Sequence, residues 1–294
     1  SRSYLQADGN VKKIASHITK KVADKLDEMF RKDRADFESK WNDMKIIIEY
    51  GMLTEDKFFD KAKKFAMYTD TDDGLHTFEA YLESIKEQQT DKDKKTVVLY
   101  ASNKDAQHSY IQNAKAKGYS VLLLDSPLTS HLLQKLEQEH ENTTFARVDS
   151  DLIDNLIKKD ETRVAKLSDK QKEELKTRLE TIVPTEKFTL KLEDMDSTEA
   201  PLIITVPEFM RRMKEMQMTG GGGMMGMGDF PDMYDLIVNA NHPLASKILD
   251  TEDDEARSSA VNQALDLAKL QQNLLHGEEL TAFIARSYEM LGNE

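Results

Sequence analysis

Two stretches hold the residues best equipped for chemistry. The first is the opening SRSYLQ, in which Arg2 and Gln6 fall in a short polar segment ahead of an amphipathic helix. An arginine so placed can grip a phosphate in trans, because its planar guanidinium makes forked, charge-assisted contacts. On spacing alone, an ordinary surface side chain is the favoured reading of Arg2. The second stretch, Val206–Pro231, carries seven of the 14 methionines: Met210, Met213, Met216, Met218, Met224, Met225 and Met227. Phe209, Met210, Met213 and Met216 recur at helical spacing, with Arg211, Arg212, Lys214 and Glu215 opposite. Pro207 suits a first helical turn, and Gly220–Gly223 end any helix. Unbranched thioethers repack against many shapes, so such a face suits promiscuous binding. The competing reading is a core helix followed by a loose tail.

No other pattern supplies a self-contained active site. Seven histidines are scattered and none forms an HExxH pair, so no metal site is expected. There is no G-x-S-x-G elbow. The absence of cysteine removes disulfides, thiol catalysis and thiolate metal sites, and fits a reducing compartment. A net charge of −13 argues against sequence-independent nucleic-acid binding and against an anionic membrane surface, both of which need a basic face. No apolar run approaches the roughly 20 residues of a membrane span. Ser1 is not a natural start, so the chain reads as an excised fragment.

The elements that must position these residues follow from periodicity. A length of 294 residues suggests two or three domains. Helices are expected from Val11 to Phe30, then through Phe37, Trp41, Met44 and Ile48 with Gly51 as a stop, then from an N-cap at Thr54. A turn at Thr69–Gly74 precedes a helix from Thr77. The period changes at Lys94. TVVLYA, YSVLLLD and TFARV read as strands alternating with helices that end near Gly118 and span Pro127–His140, which implies a small parallel sheet. Such sheets hold nucleotides beyond their strand ends. Here the first strand runs into ASNKDAQ, with no glycine-rich phosphate loop, so a scaffold is favoured. An α/β nucleotide-binding or enzymatic domain built on the 96–148 sheet is the alternative.

Residues 149–166 read as a linker, and Ser168–Gln171 as a capping box. KFTLKL and LIITV suit an antiparallel hairpin, with a third strand near Leu236 and Val238 and a short helix opened by Pro243. Two terminal helices follow, the first from about Asp253 to His276 with Gly277 as its stop. Leu265, Leu270, Leu274, Leu280, Phe283, Ile284, Tyr288 and Leu291 line their apolar faces. Two adjacent amphipathic helices cannot bury both faces alone. They can lie on their own domain or pair with a second copy as a four-helix bundle, and the pattern favours the pair.

SRSYLQ followed by VKKIxxHIxKKVxxKL resembles the middle segment of the heat-shock protein 90 chaperones. The likeness continues through Phe37–Trp41, IIEYG at Ile47–Gly51, and TFEAYLESIKEQQ, where Tyr81, Lys86, Glu87 and Gln89 match the family pattern. KGYSVLLLDSPL and NANHPLASKIL extend it over essentially the whole chain, nearest to the bacterial form. The resemblance implies part of an ATP-driven, dimeric, cytoplasmic chaperone that binds partly folded clients. The expected architecture is mixed α+β and α/β. A helical segment (1–93) precedes a small three-layer αβα unit with a parallel sheet (94–160), together the middle domain. An α+β dimerisation domain (161–294) then ends in a helix pair that forms an intermolecular four-helix bundle. Arg2 and Gln6 match the family's γ-phosphate contact loop, which acts on a preceding ATPase domain. Phe209, Met210, Met213, Met216 and Met218 match the exposed client-binding helix. ATP and magnesium are implied for the full-length protein, whereas no cofactor, ATP binding or turnover is expected of this chain alone. Homodimerisation and client proteins are the expected partnerships, with neither nucleic acid nor membrane.

Overall fold

Apolar spacing along the first hundred residues produces helices that close on one aromatic core. The computed structural model describes residues 9–159, 163–219 and 233–292. In the first unit, α1 (Gly9–Lys32), α2 (Arg34–Ser39), α3 (Trp41–Thr54) and α4 (Asp56–Ala62) gather around Phe37, Trp41, Met52, Phe59 and Phe65. Trp41 is 2% exposed, a core residue. Phe37 meets Phe30 and Phe65 edge-on at 5.4 and 6.1 Å between ring centroids. Each such side chain contributes about 1.5–3 kcal/mol by leaving water.

Gly51 does not stop a helix. It lies inside α3, where a Cβ would meet the Phe58 ring at 2.8 Å, so glycine is needed for close approach. Thr54 is the last residue of α3 rather than a cap. Its Oγ1 donates to the Tyr50 carbonyl at 2.9 Å, and Glu55 takes the cap position of α4.

The chain continues through β1 (Met67–Asp70), β2 (Leu75–Thr77), α5 (Phe78–Gln89), β3 (Thr96–Ala101), α6 (His108–Ala116), β4 (Val121–Leu123), α7 (Thr129–Glu139) and β5 (Thr143–Arg147). The sheet order is β2-β1-β4-β3-β5. The three strands expected between 96 and 148 are parallel, with Leu99 opposite Val121 and Val98 opposite Phe145. The sheet as a whole is mixed, because β1 runs antiparallel to both β2 and β4. Apolar alternation in Met67–Asp70 is too short to announce a strand. The Asp70 carboxylate closes the β1–β2 turn, accepting the Asp72 and Gly74 N–H groups at 2.8 and 2.9 Å, with His76 Nε2 at 2.7 Å. Gly118, at φ 76°, ends the α6 segment as its sequence position implies.

The first unit runs to Lys104 and resumes over Ile111–Arg147. The second takes Asp105–Tyr110 and everything from Val148. It contains α8 (Ile153–Leu156), α9 (Asp169–Glu180), β6 (Phe188–Glu193), β7 (Leu202–Thr205), α10 (Glu208–Thr219), β8 (Tyr234–Asn239), α11 (Pro243–Asp250), α12 (Asp254–Gln271) and α13 (Gly277–Gly292). The capping box forms: Ser168 N–H donates to Gln171 Oε1 at 3.0 Å, and Gln171 N–H donates to Ser168 Oγ at 3.4 Å.

The expected β6–β7 hairpin is absent. The order is β6-β8-β7, with β8 parallel to β6 and antiparallel to β7. Leu236, Ile237 and Val238 are buried one after another, the signature of a central strand covered on both faces, whereas β6 alternates as an edge does. The core joins this sheet to Leu175, Leu179, Ile248, Val261 and Leu265. His242 Nδ1 accepts the Leu244 N–H at 3.0 Å, and Pro243 opens α11 as anticipated. The first terminal helix ends at Gln271, short of His276. Asn273 takes φ 55° and turns the chain, and Gly277 begins α13 instead of stopping α12.

Candidate functional site

Two surfaces of the second unit gather the side chains singled out by sequence. The first is α10. Glu208 in its opening turn suits the positive end of the helix dipole, and Arg211 N–H bonds the Pro207 carbonyl at 3.1 Å. Of the charged residues that the sequence sets opposite the apolar face, Arg211 is buried, only 7% exposed. Its guanidinium donates to Glu208 at 2.6 Å and to Glu215 at 2.5 Å, while Arg212 Nε reaches Glu208 at 2.7 Å. Burial pushes the Glu208 carboxyl up, but Arg211 and Arg212 outweigh it and hold the group below its usual range. The two acid partners stand at i−3 and i+4 of Arg211, a spacing that sequence alone could have flagged.

Opposite this ionic seam, Phe209 is 71% exposed, and Met210 and Met213 are half-buried. None of these three belongs to the apolar core of the unit. The core-helix reading of this stretch is therefore not what these residues do. The side chains of Met216 and Met218, and residues Arg2, Gln6, Met224, Met225 and Met227, lie outside those described.

The second surface is the terminal pair. α12 sends Val261, Ala264, Leu265 and Ala268 into the core of its own unit, and Leu274 packs against the same core. Leu265 thus faces inward, while Leu267 and Leu270 face solvent. α13 buries no side chain. Leu280 and Phe283 are half-buried, and Ile284, Tyr288 and Leu291 are exposed, Leu291 by 77%. Polar contacts hold α13 to α12: Arg286 donates to Gln263 at 2.8 Å and to Asp266 at 2.5 Å, and Gln263 donates to Ser287 at 3.1 Å.

Among the described residues, no group of three or more His, Cys, Asp or Glu is placed to hold a metal, and no helix is long and apolar enough to cross a membrane. The residues after β3, Ser102 to Asp105, include no glycine to cradle a phosphate.

The family model described as Hsp90 protein matches residues 1–293. The chain belongs to the heat-shock protein 90 family. Among curated relatives it is 39% identical over 358 residues to the chaperone protein htpG of Bacteroides fragilis (strain 638R), covering 99% of this chain and 52% of that protein. It is 45% identical over 274 residues to chaperone protein HtpG of Porphyromonas gingivalis (strain ATCC 33277), covering 92% of this chain and 40% of that one. Similarity to the HtpG of Myxococcus xanthus (strain DK1622) is 22% over 292 residues. This heat-shock protein 90 chain therefore spans about half the length of the curated relatives it matches.

Proposed function

We propose that this chain is the client-binding and dimer-forming portion of an ATP-driven, cytoplasmic, HtpG-like chaperone. The observation that carries the reading is Phe209, a large apolar side chain held out in solvent on a helix whose buried side is ionic. Phe209, Met210 and Met213, continued by Met216 and Met218, form the client surface. A partly folded protein buries its own apolar side chains there, and the methionines adapt to its shape. α12 and α13 supply the dimer. Leu270, Leu280, Phe283, Ile284, Tyr288 and Leu291 meet their copies in a four-helix bundle, while Leu265 and Leu274 anchor the helices from within. Residues 1–160 act as the middle domain and 161–294 as the dimerising domain.

In this reading ATP belongs to the part of the protein that precedes the chain. The residues assigned toward its γ-phosphate, Arg2 and Gln6, would contribute charge-assisted contacts there. The test is client affinity. Phe209→Ser together with Met213→Ser should weaken binding of a partly folded protein by about 1–2 kcal/mol, roughly five- to thirtyfold, without changing the sedimentation coefficient. Unchanged client affinity would sink the reading.

A further inference from the structure

A cleft in the first unit is unused by the proposed chaperone function. Lys13, His17 and Lys20 on α1 face Lys57 and Lys61 on α4 across a cavity of about 710 Å³ floored by Phe58. Elsewhere in this unit, lysines that reach across elements are matched to acids: Lys45 to Asp125 at 2.5 Å, Lys104 to Asp73 at 2.5 Å, Lys115 to Asp72 at 2.6 Å and Lys135 to Asp56 at 2.7 Å. In the cleft, Lys61 is paired with Asp24, but Lys13, Lys20 and Lys57 form no ion pair among the described residues. Of the two acids on the rim, Asp60 is engaged by Lys63 at 3.5 Å, which leaves Glu55 as the uncompensated one. An acidic chain of net charge −13 thus gathers Lys13, Lys57 and Lys20, the last within the field of Asp24, in one concave site.

The type of cation narrows the ligand. The lining has lysines and no arginine, so it offers compact point charges rather than planar forks. A fork matches one carboxylate or one phosphate at a time, whereas point charges spaced along two helices can meet successive oxygens along a row of anionic groups. Ser16 and Thr19 add hydroxyl donors between the lysines. The volume lies within the usual range for a small-molecule site. We propose that this cleft binds a short phosphate chain, carried either as free oligophosphate or on a nucleotide.

The test is calorimetric titration of sodium tripolyphosphate into the intact 294-residue chain at low salt. One saturable site is expected, weakening steeply as salt rises. Lys20→Gln and Lys57→Gln, both exposed and so compatible with folding, should each lower affinity several-fold, and the pair at least tenfold. Lys247→Gln, which removes the same charge from the second unit, should leave it unchanged. Parallel titration of ATP identifies the carrier. ATP binding that is lost with Lys20→Gln means the chain is held on a nucleotide, and tripolyphosphate binding alone means it is held free. The proposal is overturned by absence of saturable heat, by equal losses in Lys247→Gln, or by a hexaglutamate peptide that binds more tightly than tripolyphosphate.

Discussion

Arg286 on α13 reaches Asp266 on α12 at 2.5 Å, and both side chains are mostly shielded from solvent. This pair, reinforced by Gln263, fixes a helix that contributes no side chain to its own core. Arg286→Met should leave the protomer folded but loosen the α12–α13 angle that the proposed bundle requires. A loss of about 1–2 kcal/mol in dimer free energy is expected, read as a roughly tenfold rise in the dimer dissociation constant by sedimentation equilibrium. An unchanged constant would place the interface elsewhere.

Removal of residues 277–294 should give folded monomers. α13 takes nothing from the core when it leaves, whereas a cut before Asp253 also removes Val261 and Leu265 and would unfold the unit. Sedimentation velocity together with circular dichroism separates these outcomes. Dimers that persist without α13 would exclude it from the interface.

The Glu208–Arg211 seam predicts a signed pH dependence. The folded-state pKa of Glu208 is lowered by Arg211 and Arg212 against the opposing effect of burial. Its contribution is therefore present above the unfolded value of about 4.3 and disappears as pH falls through the folded value. Glu208→Gln should cost stability at pH 7, and its difference from the parent should shrink as pH falls below about 4.3, as measured by urea unfolding. Arg211→Met should cost more at pH 7, about 2–4 kcal/mol, because it strands carboxylates on the covered side of α10.

Glu49 gives the opposite sign. It is buried on α3, burial pushes its carboxyl up, and Oε2 has no partner among the described residues, while Ser126 and Lys45 only partly offset the shift. A raised folded pKa means the native state favours the protonated acid, so Glu49 destabilises the unit increasingly as pH rises above about 4.3. Glu49→Gln should raise the thermal midpoint at pH 7 and have little effect near pH 4. A lower midpoint at pH 7 would show that the charge is used.

Gly51→Ala should destabilise the first unit by about 1–3 kcal/mol. The added methyl would lie 2.8 Å from the Phe58 ring, and neither α3 nor α4 can move without disturbing the same core. A thermal scan suffices to check it.

These residues also show where sequence reasoning reached and where it stopped. Apolar helical spacing identifies α1, α7 and α12, and the Trp41 core, because α7 and α12 each bury a broad stripe, whereas on α1 Ala23 is buried and Ile18 and Val22, expected on its inner face, stay exposed. Capping chemistry located α9 and α11 from Ser168 and Pro243 alone. Strand pairing was less legible. Phe188–Glu193 and Leu202–Thr205 are adjacent in the chain, but Tyr234–Asn239 separates them in space, and partner choice depends on which strand is apolar on both faces. Gly51 and Gly277 were misread because a glycine can serve close packing or a positive φ as readily as it ends a helix. On α10, Phe209 stood out, but the inward turn of Arg211 depends on ionic partners that helical hydropathy does not weigh.

The strand order of the second sheet has a consequence for synthesis. β6 and β7 leave the ribosome first, yet neither has a neighbour in the finished sheet until β8 arrives, after α10 has been made. A nascent chain stalled before Tyr234 therefore carries two orphan ribbons and an oily helix at once. The segment assigned to sheltering unfolded proteins is itself, for that interval, one of them.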